Sequence, residues 1–136
     1  MARRSLLEDV KSRHAQIALD LGHRWDSKAT GKVKQLISGF DADDLYQFVQ
    51  VEQELNSDAY YQLERFANFF EEVAILWRLE ILSVEWVELT LGDALTGYWK
   101  IWTLTAKSEQ NYYPRAYENW ETLAGLLNAR AAPSPS

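Results

Sequence analysis

The sequence contains no cysteine, and this absence removes several classes of protein at once. There is neither a disulfide framework nor a thiolate metal site. The only two histidines, His14 and His23, leave little for histidine-based metal chemistry, so we expect no metal, no cofactor and no catalytic histidine. No apolar run approaches the ~20 residues of a membrane span or forms a signal peptide, so we expect no membrane span and a cytoplasmic location.

Positive charge is also scarce, with 14 basic against 20 acidic side chains and a net charge of −6. Residues 1–40 carry eight basic and four acidic groups, whereas residues 41–93 carry two and thirteen. The one basic cluster comprises Arg24, Lys28, Lys32 and Lys34. Nucleic-acid binding typically requires a net basic domain with a groove-reading or base-stacking motif. We therefore consider nucleic acid an unlikely partner.

The chain is rich in apolar residues, which make up 47% of its 136 residues, and in aromatic residues, which make up 13%. This composition is far from that of a disordered chain, and a domain of this length buries roughly two-thirds of its unfolded surface. No alternating apolar segment bounded by turn residues indicates a strand. The sequence thus predicts one compact all-α domain of about six helices over residues 1–130, followed by a disordered tail at 131–136.

The longest helical pattern covers residues 58–82, which we predict to be the central helix. Its apolar side chains recur at steps of four, three, four, three and four residues, the spacing of one helical face. The stripe consists of Ala59, Leu63, Phe66, Phe70, Val73 and Trp77. Ile75, Leu79 and Leu82 add apolar surface near the C-terminal end, so we expect neighbours to cover that end on every side.

Capping residues and turn formers predict the other helices. A capping box at Ser5 to Glu8 would open a first helix that ends at Gly22, and Ser27 would cap a short helix within residues 23–39. The later helix starts are predicted at Asp41, Ser83, Gly92 and Pro114, with a polar loop at residues 107–113.

Three short motifs resemble a bacterial family of helical domains known only as a domain of unknown function. They are Asn68-Phe69-Phe70-Glu71-Glu72, Gly92-Asp93-Ala94 and Tyr98-Trp99. The likeness covers roughly residues 57–125, and this chain departs from it at Gly97, where many members carry a basic residue. The resemblance implies an α-helical fold and supplies no catalytic residues.

Glu71 and Glu72 are the most distinctive polar feature, but they do not indicate an enzyme. Adjacent residues on a helix point about 100° apart, so these carboxylates cannot face each other. Arg65 and Arg78 are the candidate ion-pair partners on the same helix. A di-iron site would need Glu-x-x-His motifs on two helices, and the sequence has none. We expect no catalytic residues and favour a non-enzymatic role.

Two functions from different classes remain open. The first is a non-catalytic interaction module that binds a partner protein or self-associates, because short helices cannot bury so many aromatic side chains. The residues predicted for that surface are Tyr60, Tyr61, Trp86, Tyr112 and Tyr113. The alternative is a small-ligand domain with an aromatic-lined apolar pocket and a carboxylate anchor. Its predicted residues are Glu72, Trp77, Asp93, Trp99 and Trp102.

Overall fold

The computed structural model describes residues 2–132, with side chains from residue 5 onward, and the all-α prediction is confirmed. Seven helices are present in this part of the chain, and none of its residues forms a strand. They are α1 (Ala2–Trp25), α2 (Lys28–Leu36), α3 (Ala42–Leu55), α4 (Asp58–Arg78), α5 (Val84–Thr90), α6 (Gly92–Gln110) and α7 (Glu118–Ala131). Most of the predicted tail, residues 133–136, lies outside the described residues.

Short polar side chains start four of these helices. Ser27 caps α2, Ser57 caps α4 and Ser83 caps α5, each accepting a hydrogen bond from a backbone N–H of the first turn. Asp41 accepts from the backbone of Asp44 at 2.8 Å, and Asp44 accepts in return from the backbone of Asp41 at 3.1 Å. Because such caps satisfy N–H groups that lack a partner within the helix, the predicted starts at Ser27, Asp41 and Ser83 are confirmed.

The predicted ends of the first helix are wrong. Helix α1 begins at Ala2, so Ser5 lies inside it, and it continues through Gly22 to Trp25. The extension has a packing reason, since the Trp25 ring stacks 5.6 Å from the Phe69 ring on α4. Toward the N-terminus the same helix leaves the core, and Leu6 is 64% exposed. The first part of α1 therefore projects from the folded body.

The central helix α4 ends at Arg78, four residues before the predicted end. Glu80 adopts a left-handed conformation with φ of 62°, and its N–H donates to Trp77 O, while Ile81 N–H donates to Leu76 O. This pair of bonds is a Schellman motif, which terminates a helix. Leu79 is 62% exposed as a result, so the expected coverage of that end on every side is wrong.

The core forms where the aromatic stripe of α4 meets α6 and α7. Phe70 and Trp120 are fully buried and stack at 4.8 Å, and the Trp120 indole N–H donates to Leu95 O at 3.0 Å. Phe66 stacks on Trp102 at 5.5 Å. Helix α6 packs against α3 and α7, and α4 packs against α2, α3 and α7. The predicted central helix thus contributes the aromatic stripe of the core, whereas α5 packs against α6.

Candidate binding site

Glu71 supports the structure by capping a distant helix. Its carboxylate accepts hydrogen bonds from the backbone N–H of Trp120 and from Asn119 Nδ2, both at 2.8 Å. These donors belong to the first turn of α7, whose own N-terminal flanking residue, Tyr117, provides no side-chain cap. An anion at this position also interacts favourably with the positive end of the helix dipole. The side-chain oxygen of Asn119 accepts a hydrogen bond from Arg78 Nη1 at 2.6 Å. Arg78 is therefore linked to Glu71 only indirectly, through Asn119.

Glu72 has a different role from its neighbour. It forms an ion pair with Arg24 of α1, with Nη2 and Oε2 2.8 Å apart, and both side chains are about half exposed. Arg65 is not its partner in the structure, although the sequence made Arg65 a candidate. An exposed pair of this kind contributes little stability. The two adjacent glutamates therefore have different roles, since Glu71 caps a helix and Glu72 forms a surface ion pair.

The five residues predicted for an apolar ligand pocket do not meet. Trp102 lines a cavity beside α3, whereas Trp77 borders an open groove of about 530 Å³ near α5. Glu72 lies at a third depression, of about 330 Å³. Trp99 packs into the aromatic core, and Asp93 is exposed in the first turn of α6. They are separated because Glu72 and Trp77 lie on α4 and the other three on α6, at positions that border different depressions or the core.

The residues predicted for a partner surface are brought together more closely. Tyr60, Tyr112 and Tyr113 line one cavity, and the Tyr61 ring lies 5.5 Å from that of Tyr60. Trp86 is the exception, because it borders the groove near α5. Sequence positions about fifty residues apart thus meet on one side of the molecule.

This cavity, which we name the tyrosine cavity, has a volume of about 160 Å³. It lies between α3, α4, α6 and the loop that joins α6 to α7. The lining residues are Val49, Gln50, Gln53, Tyr60, Leu63, Glu64, Trp102, Thr105, Ser108, Glu109, Tyr112, Tyr113 and Tyr117. Tyr112 is 82% exposed and Tyr113 is 69% exposed, so these two residues mark its opening to solvent.

The loop that closes the cavity is held by its own hydrogen bonds. The predicted loop at residues 107–113 is wrong, because α6 continues to Gln110. The side chain of Gln110 then donates to Ala116 O at 2.9 Å, and Ala116 N–H donates to Tyr113 O at 2.9 Å. Tyr117 follows in a left-handed conformation with φ of 56°, which delays α7 to Glu118 instead of the predicted Pro114. The loop thus fixes the tyrosines at the mouth of the cavity.

Two carboxylates face one another across the tyrosine cavity. Glu64 on α4 accepts from the Tyr60 hydroxyl at 2.9 Å, and Glu109 on α6 lies close to Tyr117. Burial, reinforced by the charge of Glu64, raises the pKa of Glu109 above its ordinary value. Burial also raises the pKa of Tyr60, and its hydrogen bond to Glu64 raises it further. Burial raises the pKa of Tyr117 as well, and the charge of Glu109 adds to that effect. The site therefore contains two partly buried acidic groups.

Thr105 adds an unsatisfied polar group to the lining. It is only 7% exposed, and its Oγ1 has no hydrogen-bond partner among residues 5–132. Leaving such a group unpaired costs about 1–3 kcal/mol. The lining provides ring faces, carboxylates and hydroxyls, but no histidine or lysine. This set of groups is suited to binding.

Sequence reasoning missed Glu64, Thr105, Glu109 and Tyr117 as members of the site. One local signal was present, since Tyr60 and Glu64 are four residues apart and so share a helical face. The remaining members lie on α6 and the following loop. Their convergence depends on how α6 packs against α3 and α4, which no short motif encodes.

The described residues contain no group of three or more side chains placed to hold a metal ion. None of the helices in residues 2–132 is long and apolar enough to cross a bilayer. Of the basic cluster, Arg24 is paired with Glu72, and Lys34 Nζ lies 3.7 Å from the centre of the Trp25 ring.

The fold and site define a helical domain with an acidic, tyrosine-lined cavity. The chain belongs to the family described as a domain of unknown function, DUF4760, whose model matches residues 10–126. The match includes every residue of the tyrosine cavity and confirms the resemblance to a domain of unknown function. A search of curated proteins found no match, and neither did a search of solved structures.

Proposed function

We propose that this domain is a non-catalytic interaction module that binds a partner protein by taking one of its side chains into the tyrosine cavity. The observation that carries the proposal is the convergence of Tyr60, Tyr112 and Tyr113 on one cavity with Tyr117. Tyrosine is enriched at protein interfaces because its ring buries a large area while its hydroxyl remains able to hydrogen bond.

The size of the cavity supports a single side chain as the occupant. A cavity of about 150 Å³ holds a benzene-sized group, whereas sites for drug-sized ligands occupy about 300–1,000 Å³. The tyrosine cavity, at about 160 Å³, belongs to the first group. An anchor residue that fills a desolvated pocket, ringed by contacts that exclude water, is also the usual arrangement of an interface hot spot.

The alternative, a small ligand in an apolar pocket, has less support. Of the three tryptophans assigned to that pocket, only Trp102 lines the tyrosine cavity. The lining is also polar in large part, with two glutamates and two glutamines. As part of the same proposal we place the domain in the bacterial cytoplasm, because its motifs resemble a bacterial family and it has no disulfide to form.

Selection from a random peptide library displayed on phage tests this proposal without assuming the chemistry of the anchor. We expect peptides to be enriched on the intact domain and to lose binding to the double variant Tyr112→Ala/Tyr113→Ala. Both tyrosines are exposed, so this variant should fold normally, which circular dichroism can verify.

The matched control is Leu89→Ala, which removes a large apolar side chain that is 87% exposed on α5 and lies outside the cavity. It should bind the selected peptides as the intact domain does. The absence of any enriched peptide, or peptides that bind equally well to the double tyrosine variant, would refute the proposed function.

A further inference from the structure

The carboxylates of the tyrosine cavity are not held in ion pairs within the described part of the chain. Among the described residues, neither Glu64 nor Glu109 forms an ion pair with a lysine or arginine. Lys107 is two residues from Glu109 but pairs with Glu121. Arg115 borders a shallow depression of about 310 Å³ together with Glu64 and Glu109, but its side chain is 91% exposed and it pairs with Glu118, at 3.9 Å. Helix α3 contributes only uncharged groups to the lining. The cavity therefore carries a negative charge that no ion pair of residues 5–132 neutralises.

Partial burial of the carboxylates strengthens their attraction for a cation inside the cavity. Desolvation raises the pKa of Glu109, and the charge of Glu64 raises it further. An organic cation inside the cavity would be attracted to both carboxylates at reduced dielectric. It would also favour the ionised form of Glu109. The titratable groups facing such a ligand are Glu64 and Tyr60 from α4, Glu109 from α6, and Tyr112, Tyr113 and Tyr117 from the loop.

The other groups of the lining indicate which class of organic cation fits the cavity. Tyrosine and tryptophan faces attract a positive charge held close to the ring. A primary ammonium has three N–H donors, and the two carboxylates of the lining, Glu64 and Glu109, provide acceptors for them. A quaternary ammonium has no N–H group and could not donate to either carboxylate. A guanidinium is a planar fork that needs more width than a compact ammonium.

We infer that the tyrosine cavity binds a protonated primary amine, held by Glu64 and Glu109 and surrounded by tyrosine rings. A lysine side chain of a partner protein is the source that fits the proposed function, and this part of the inference rests on it. A free alkylamine would carry the same chemistry, and the experiment separates the two sources.

NMR titration of the intact domain tests the inference with paired probes. The free probes are n-butylammonium chloride and n-butanol, which differ in charge but little in shape. The peptide-like probes are Nα-acetyl-lysine methylamide and its Nε-acetylated counterpart. We expect the two ammonium compounds to bind with dissociation constants on the order of millimolar, a reasonable strength for so few heavy atoms. The neutral compounds should bind at least about tenfold more weakly.

Glu109→Gln tests the site itself, because it removes the charge and keeps the shape. Loss of a charged hydrogen-bond acceptor should weaken ammonium binding about tenfold or more. The matched control is Glu85→Gln, an exposed position on α5 beside the separate groove. It removes the same charge and should leave the affinity unchanged.

Equal binding of charged and neutral probes, or equal loss in both variants, would overturn the inference. So would failure of every ammonium probe while selected peptides still bind in the cavity, although the proposed function would then stand. Binding of n-butylammonium together with failure of all lysine-containing probes would support the amine site and count against a protein partner.

Discussion

Replacing Glu71 with alanine should lower the free energy of unfolding by about 2 kcal/mol, because the start of α7 depends on this carboxylate. The side chain accepts two hydrogen bonds of 2.8 Å, one of them from the backbone N–H of Trp120. A hydrogen bond to a charged group contributes about 1.5–3 kcal/mol, and loss of a helix cap costs about 0.5–2 kcal/mol. These ranges describe the same interaction, so they overlap and do not add.

Urea denaturation followed by circular dichroism measures this change directly. For a domain of this size, 2 kcal/mol corresponds to a fall in Tm of about 8 °C. Glu71→Gln should cost less than about 1 kcal/mol, because the amide oxygen can still accept the bond from Trp120. The matched control is Glu72→Ala, which breaks an exposed ion pair with Arg24 and should cost less than about 1 kcal/mol. Equal losses for Glu71→Ala and Glu72→Ala would refute the capping role.

Three further predictions concern the core and the cavity. Phe70→Ala should destabilise the domain by about 3–5 kcal/mol in urea denaturation, because Phe70 is fully buried against Trp120; a loss below about 1 kcal/mol would contradict this packing. Glu109→Gln should be more stable than the intact domain at pH 7, since the raised pKa means that ionisation of Glu109 destabilises the fold as pH rises past about 4.3. The difference should vanish near pH 3, and equal denaturation midpoints at pH 7 would contradict it. Thr105→Val should stabilise the fold by about 1 kcal/mol, because it removes a buried hydroxyl that has no partner among the described residues; a drop in Tm would show that the hydroxyl is satisfied.

The parts of the fold that local chemistry decides were predictable from the sequence. Ser27, Asp41 and Ser83 start helices because each side chain bonds to an N–H group within its own first turn. The buried stripe of α4 was predictable for the same reason, since Phe66 and Phe70 share a helical face through spacing alone. Interactions that span three or four residues are visible in a sequence.

The errors arise where a distant contact decides the outcome. Helix α7 starts at Glu118 because Glu71, on another helix, caps its first turn. Helix α1 passes through Gly22 because Trp25 docks on α4. The tyrosine cavity could not be predicted for the same reason, because Glu64 and Glu109 come close together only when α4 and α6 have packed. Sequence periodicity predicts which face of each helix is apolar, but it does not predict which of these faces pack against each other.

The six tryptophan indole N–H signals allow the most direct test of the amine site, because each reports on a different part of the molecule. In a ¹H–¹⁵N NMR spectrum recorded with saturating n-butylammonium, the signal of Trp102, which lines the tyrosine cavity, should shift. Those of Trp77 and Trp86, which border the separate groove, should not. An unchanged Trp102 signal, or saturable shifts confined to Trp77 and Trp86, would contradict the assignment of the tyrosine cavity as the binding site.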